Sequence, residues 1–148
     1  MGETHVQQPL VMVVEDELLL HESLEDALGT AGFSVAFVQS GEEAALLLRG
    51  HSTEYKALIV DIHLRGRMVG WDLAKLARQL NPEIPIVYTT AGRAHEWPSS
   101  GVPSSLLVQK PFAPAQLVTA VSQLLNKGPQ GSDFCELLTK AGALDHAE

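Results

Sequence analysis

Cysteine is nearly absent: Cys135 is the only one in 148 residues. One thiol excludes an intramolecular disulfide framework and fits a reducing compartment. Positive charge is also scarce. Ten Lys plus Arg stand against eighteen Asp plus Glu, a formal net charge of −8. A chain of that sign lacks the basic face needed for broad nucleic-acid binding, so direct DNA binding is not expected. No apolar run approaches the roughly 18 residues that span a bilayer. The N-terminal MGETHVQQP has no charged-then-apolar signal pattern. These absences lead us to expect a cytoplasmic protein without membrane association. Neither GxxxxGKS/T nor GxGxxG occurs, so the usual phosphate-cradling turns are missing. His21-Glu22 is not followed by a second histidine four residues on, which excludes an HExxH zinc site. The six histidines, at 5, 21, 51, 63, 95 and 146, are scattered.

What the chain does have is apolar content, 45% of its residues, enough for a globular core. A domain of this length buries roughly 70% of the surface its unfolded chain exposes. Short apolar runs alternate with amphipathic stretches. Leu10 to Val14 (LVMVV) is a continuous run, as in a strand covered on both faces. Leu18, Leu19, Leu24, Ala27 and Leu28 follow at roughly helical spacing, and Gly29 and Gly32 supply the stop. Phe33 to Val38 predicts a second strand. Ser40 with Glu43 forms a capping-box pattern for a helix through Ala44, Leu47 and Leu48, ended by Gly50. Ala57 to Val60 predicts a third strand ending at Asp61, and Gly70 to Leu80 a helix with Leu73, Leu76, Ala77 and Leu80 on one face. Asn81-Pro82 terminates it. Ile84 to Thr89 and Ser105 to Val108 are the fourth and fifth strands, and Pro114 to Asn126 the last helix. Residues 92–104 leave room for a short helix at most.

Strand and helix alternate about five times. That pattern predicts an α/β fold, a parallel sheet with helices on both faces and right-handed crossovers. In such sheets ligands bind beyond the carboxyl ends of the strands. Glu15, Asp16 and Glu17 follow the first strand, Asp61 the third, Thr89, Thr90 and Ala91 the fourth, and Lys110 the fifth. Glu15 or Asp16, with Asp61, would place two or three carboxylates in one cleft. Two unit charges 4 Å apart cost about 4 kcal/mol at an effective dielectric of 20. Such a cluster takes up protons or recruits a cation. Oxygen-only ligands with open positions suit Mg²⁺. A carboxylate beside that ion can act as nucleophile toward a phosphoryl group, with a lysine as a further point charge. Asp61 and Lys110 are placed for these parts, Thr90 can donate a hydroxyl hydrogen bond to a phosphoryl oxygen, and the small Ala91 leaves Asp61 accessible.

VVEDE at 13–17, ALIVDIHL at 57–64, the GWDLAKLAR helix, PIVYTTAG at 85–92 and QKPF at 109–112 resemble, in that order, the receiver domain of two-component response regulators. The resemblance covers about residues 10–127. It implies a flavodoxin-like (βα)5 fold, a five-stranded parallel sheet with strand order 2-1-3-4-5. It implies that Asp61 accepts a phosphoryl group from a sensor histidine kinase or phosphotransfer protein. Glu15, Asp16, Asp61 and the backbone carbonyl of His63 would hold Mg²⁺. Thr90 and Lys110 would bind the phosphoryl group, and the Lys110–Pro111 bond would be cis. The output would be a phosphorylation-induced change read by a downstream protein not named by the sequence.

Three positions depart from the family pattern. The residue three before the lysine, often an aromatic switch, is Leu107. The usual proline four after the phosphoacceptor is Arg65, and the loop to Gly70 is one residue longer. The fourth helix is short or irregular. We expect a receiver domain over residues 1–128 of the stand-alone or kinase-associated type. Residues 129–148 would form a short tail without a separate output domain. Such a protein is a regulator rather than an enzyme, with at most slow self-dephosphorylation. Two alternatives stand beside this reading. One is a small metal-dependent phosphohydrolase, against which His63 occupies the place of the usual second acid. The other is a phosphate-sink receiver without a downstream target.

Overall fold

The computed structural model describes residues 8–64, 66–92 and 96–127. The sheet has five parallel strands: β1 (Leu10–Val14), β2 (Ser34–Val38), β3 (Tyr55–Asp61), β4 (Ile86–Thr90) and β5 (Ser105–Gln109). Their spatial order is β2-β1-β3-β4-β5, as the resemblance implied. Between them run α1 (His21–Thr30), α2 (Gly41–His51), α3 (Gly70–Leu80) and the single-turn α4 (Trp97–Ser100); α5 (Pro114–Lys127) follows β5.

β1 shows why the central strands carry unbroken apolar runs. Val11 and Val13 point into a core with Leu24 and Leu28 of α1 and Leu117 and Val121 of α5. Met12 and Val14 point the other way, against Ala44 and Leu48 of α2 and Leu73 and Ala74 of α3. Side chains alternate across a strand, so a sheet covered on both faces needs an apolar residue at each position. No helix among the described residues is long and apolar enough to cross a membrane.

Several boundaries differ from the pattern read in sequence. Leu18 and Leu19 do not join the buried face of α1. They lie in a 3₁₀ turn, Leu18–Leu20, and are 63% and 91% exposed. That turn advances about 120° per residue rather than 100°, so its side chains fall out of step with Leu24 and Leu28. Gly29 and Gly50 do not end their helices; both lie inside the last turn. After α1 the chain turns instead at Gly32, whose φ of 100° is open to glycine without strain. β3 starts earlier than expected, at Tyr55, across an irregularity that pairs Leu10 with Tyr55 but Val11 with Ala57. β4 starts later, at Ile86, because Ile84 closes a turn through its N–H to the Asn81 carbonyl. Leu80 is exposed, while Trp71 and Ala74 join the buried side of α3. Ser40 caps α2 as expected, its hydroxyl accepting the Glu43 N–H at 3.1 Å.

On the far side of the sheet, Arg78 of α3 donates to the carbonyls of Ile84 (2.7 Å), Pro103 (2.5 Å) and Ser104 (3.1 Å), tying the entrances of β4 and β5 together. The indole of Trp71 meets the ring of Tyr88 edge-on, with centroids 4.7 Å apart. The Tyr88 hydroxyl accepts the Val102 N–H at 3.1 Å. The Trp97 indole N–H donates to the Ser105 hydroxyl, which donates in turn to the Val102 carbonyl. Both tryptophans are packing residues, Trp71 within the core and Trp97 against its edge. Cys135 and the tail at 129–148 lie outside the described residues.

Gly70 sets the tightest backbone approach near the sheet rim. Its N–H donates to the Ile62 carbonyl at 3.1 Å. A Cβ there would sit 2.7 Å from the Asp61 carbonyl oxygen and 2.8 Å from the Ile62 Cα. Backbone cannot yield as a flexible side chain does. Gly70→Ala is therefore expected to lose about 1–3 kcal/mol of stability in urea unfolding, the usual range for overpacking. A variant as stable as the parent would contradict the close packing of α3 on the end of β3.

Candidate functional site

The residues at the strand ends are held there by ladders that run past the strands. The Glu15 N–H donates to the Val38 carbonyl at 3.0 Å, Ile62 to Thr89 at 3.0 Å, and Lys110 to Thr90 at 2.8 Å. Each functional side chain thus starts from backbone as fixed as the sheet itself. Glu15 is 3% exposed and Asp61, the last residue of β3, is 5% exposed. Asp16 is half-buried and Glu17 exposed. One carboxylate oxygen from each of Glu15, Asp16 and Asp61 lies within 4.8 Å of the others.

Lys110 reaches this cluster from β5 across β4. Its ammonium stands 2.9 Å from Asp61 Oδ2, 3.1 Å from Glu15 Oε1 and 3.4 Å from Glu17 Oε1. The Lys110–Pro111 peptide bond is cis, as the resemblance implied. The other Asp61 oxygen, Oδ1, accepts the His63 N–H at 2.9 Å. Glu15 Oε2 accepts the Glu17 N–H at 3.0 Å. Both carboxylates are therefore held at each oxygen and have little freedom to rotate.

Electrostatics follow from this packing. Burial, and then the charge of Asp61, push the Glu15 carboxyl above its ordinary value, against the pull of Lys110 and the Glu17 N–H. Burial alone would lower the Lys110 ammonium. The hydrogen bonds and charges of Asp61 and Glu15 outweigh it, and the net shift is upward. Lys110 is accordingly a fixed positive charge at any physiological pH.

The predicted site residues take up different places. Glu15, Asp16, Asp61 and Lys110 come together. Thr90 is fully buried at the end of β4, the strand beside β3, and its hydroxyl accepts the Gly92 N–H at 3.3 Å. His63 turns its side chain outward, and its backbone N–H meets Asp61. Sequence reasoning left three residues out of the site. Glu17 was visible in the acidic run, but its approach to Lys110 was not. His21 contacts the Glu15 carbonyl through Nε2 at 3.0 Å and stacks on Phe37, with centroids 4.1 Å apart. Glu42, at the start of α2, accepts the Arg67 and Met68 N–H groups at 2.8 and 3.1 Å.

Comparisons with known proteins point to one family. A family profile described as the response regulator receiver domain matches residues 11–122. The transcriptional regulatory protein CusR of Escherichia coli is 32% identical over 120 residues, covering 80% of this chain and 52% of its own length. The two-component response regulator PhoP of Pseudomonas aeruginosa is 32% identical over 136 residues, covering 90% and 58%. The chain thus spans about half the length of these curated relatives. Among solved structures, a response regulator receiver protein from Sinorhizobium medicae superimposes with a TM-score of 0.77 at 39% identity. That match covers 82% of this chain and 98% of the other.

The raised Glu15 carboxyl makes a testable statement about the metal-free protein. A group that binds its proton more tightly folded than unfolded contributes stability that is full below its unfolded value of about 4.5 and is lost as pH rises through the folded value. At neutral pH the buried charge is then a net cost. Glu15→Gln keeps the shape without the charge. In excess chelator at pH 7 it is expected to melt roughly 3–5 °C above the parent, on the order of 1 kcal/mol, with the gap closing as pH falls. An unchanged or lower melting temperature would count against a strained Glu15–Asp61 pair.

Proposed function

The chain belongs to the response regulator receiver family, and from that membership we propose that it is a phosphoacceptor in which Asp61 takes a phosphoryl group. The donor would be a phosphohistidine on a sensor histidine kinase or phosphotransfer protein. The observation that carries this reading is the Asp61 carboxylate itself. It is buried at a strand end, with Oδ2 on the Lys110 ammonium and Oδ1 on the His63 N–H.

An Asp61 oxygen attacks the phosphorus, forming a P–O bond as the P–N bond of the phosphohistidine breaks. The electron pair of that bond stays with the departing imidazole nitrogen. Lys110 carries its positive charge up to the transferring oxygens without changing its own protonation. The Thr90 hydroxyl, at the next strand end, is the donor proposed for a phosphoryl oxygen. The three clustered carboxylates form an oxygen-only donor set that fits Mg²⁺. Glu15, Asp16, Asp61 and the His63 carbonyl are the residues proposed to hold it. The ion supplies charge neutralisation on the phosphoryl oxygens when bound.

The aspartyl-phosphate adds about −1.5 to −2 charges near neutral pH. Thr90 turning toward it would draw on the loop at Gly92, and the surface of β4, α4 and β5 would present the change to a downstream protein. The residue two after Asp61 is His63, with its side chain exposed, in the place where a phosphohydrolase would carry a second acid. A regulator with at most slow self-dephosphorylation is therefore the reading we take.

Incubation with acetyl phosphate and Mg²⁺ is expected to add one phosphoryl group, detected by intact mass. Asp61→Asn and an excess of chelator should each abolish it. Equal labelling of the Asn variant would remove Asp61 from its role.

A further inference from the structure

Asp61 is followed by a loop, residues 62–69, that departs from the family pattern in two ways noted above: Arg65 stands in place of proline, and there is an extra residue. Within it, Gly66 takes φ 92°, which glycine adopts without strain. The segment just after it is pinned from outside. Glu42 Oε2 accepts both the Arg67 N–H (2.8 Å) and the Met68 N–H (3.1 Å), so one oxygen gathers two consecutive backbone donors. Such bonds to a carboxylate are about twice as strong as neutral ones. The approach depends on two glycines. A Cβ on Gly66 would lie 2.7 Å from Glu42 Oε1, and a Cβ on Gly41 would lie 3.0 Å from the Met68 Cβ. Glu42 itself projects from the first turn of α2, which Ser40 caps.

We propose that Glu42 is a positioning residue for phosphoryl transfer: by clamping the 66–68 segment it fixes where the His63 N–H holds the Asp61 carboxylate. The path is short. Gly70 anchors the far end of the loop on the Ile62 carbonyl, and the clamp anchors it at Arg67 and Met68. His63 lies between Ile62 and the clamp, and its N–H is the donor to Asp61 Oδ1. Releasing the clamp leaves His63 held on its C-terminal side only by the more distant anchor at Gly70, and the Asp61 carboxylate loses part of its fixed orientation while keeping Lys110. This deepens the phosphoacceptor reading and rests on it. Misplacing a reacting group by about 1 Å can slow a reaction by as much as a hundredfold.

The test compares Glu42→Ala and Glu42→Gln with the parent, using acetyl phosphate labelling rates and amide NMR of the unphosphorylated protein. Glu42→Ala is expected to speed hydrogen exchange at the Arg67 and Met68 amides, to shift the His63 amide resonance, and to slow labelling about tenfold. Glu42→Gln, which keeps an acceptor oxygen in place, should recover most of that rate. The proposal is overturned if the alanine variant leaves the His63 amide and the labelling rate unchanged, whatever its melting temperature does. It is overturned equally if the glutamine variant labels as slowly as the alanine one. If the parent takes up no phosphoryl group, the phosphoacceptor reading fails. The positioning claim is then decided by the His63 amide shift alone.

Discussion

The Lys110 ammonium, lodged between Asp61 and Glu15, is the interaction on which the site depends. Two carboxylates about 4 Å apart repel by about 4 kcal/mol at an effective dielectric of 20, and Asp16 adds a third acid to the same hollow. One ammonium offsets part of this, and the upward shift of both Glu15 and Lys110 records the balance. The pocket remains net negative after Lys110 is counted. That residual charge would favour a divalent cation, as proposed for Mg²⁺. The same lysine holds Asp61 Oδ2, so the residue that makes the acids tolerable also orients the carboxylate proposed as phosphoacceptor.

The fold makes this arrangement cheap to hold. Parallel strands end on one rim, and residues 15, 61, 90 and 110 arrive there as direct continuations of β1, β3, β4 and β5. Backbone ladders extend one residue past the strands, so the side chains inherit the rigidity of the sheet. Beyond Ile62, the described residues of the loop after β3 show no such ladder. It relies on single contacts instead: Gly70 on Ile62, and Glu42 on Arg67 and Met68. Rigid strand ends and individually pinned loops divide the work of placing charge.

Much of this was legible before any coordinates. An acid run after an apolar pentapeptide, an acid after β3 and a lysine before proline each sit where a parallel sheet collects ligand groups. Element type followed from periodicity for the same reason that β1 is apolar throughout: both its faces are covered. Ends were harder. Gly29 and Gly50 look like stops, but a helix tolerates glycine in its last turn when backbone partners remain. Leu18 and Leu19 look like core, but a change from 3.6 to 3 residues per turn swings them outward. The Glu42 clamp and the triple contact of Arg78 could not be read at all. Each joins a side chain to backbone groups several to some 25 residues away, and a backbone N–H or carbonyl carries no residue-specific signature.

Tyr88 has a consequence of its own. It sits directly across the ladder from Leu107, so an aromatic ring occupies β4 beside the place where related chains often have one on β5. Burial pushes its phenol up to about 12, which keeps it neutral under physiological conditions. The phenol links the strand ending in Thr90 to Val102, ahead of β5, through an uncharged hydrogen bond in a water-poor interior. Dissolved salt screens charges at the surface within about 10 Å at 0.1 M, but it has little purchase on such a contact. Ionic strength would then act on the exposed charges of the rim, while the coupling of β4 to the chain ahead of β5 through this bond stays indifferent to the medium.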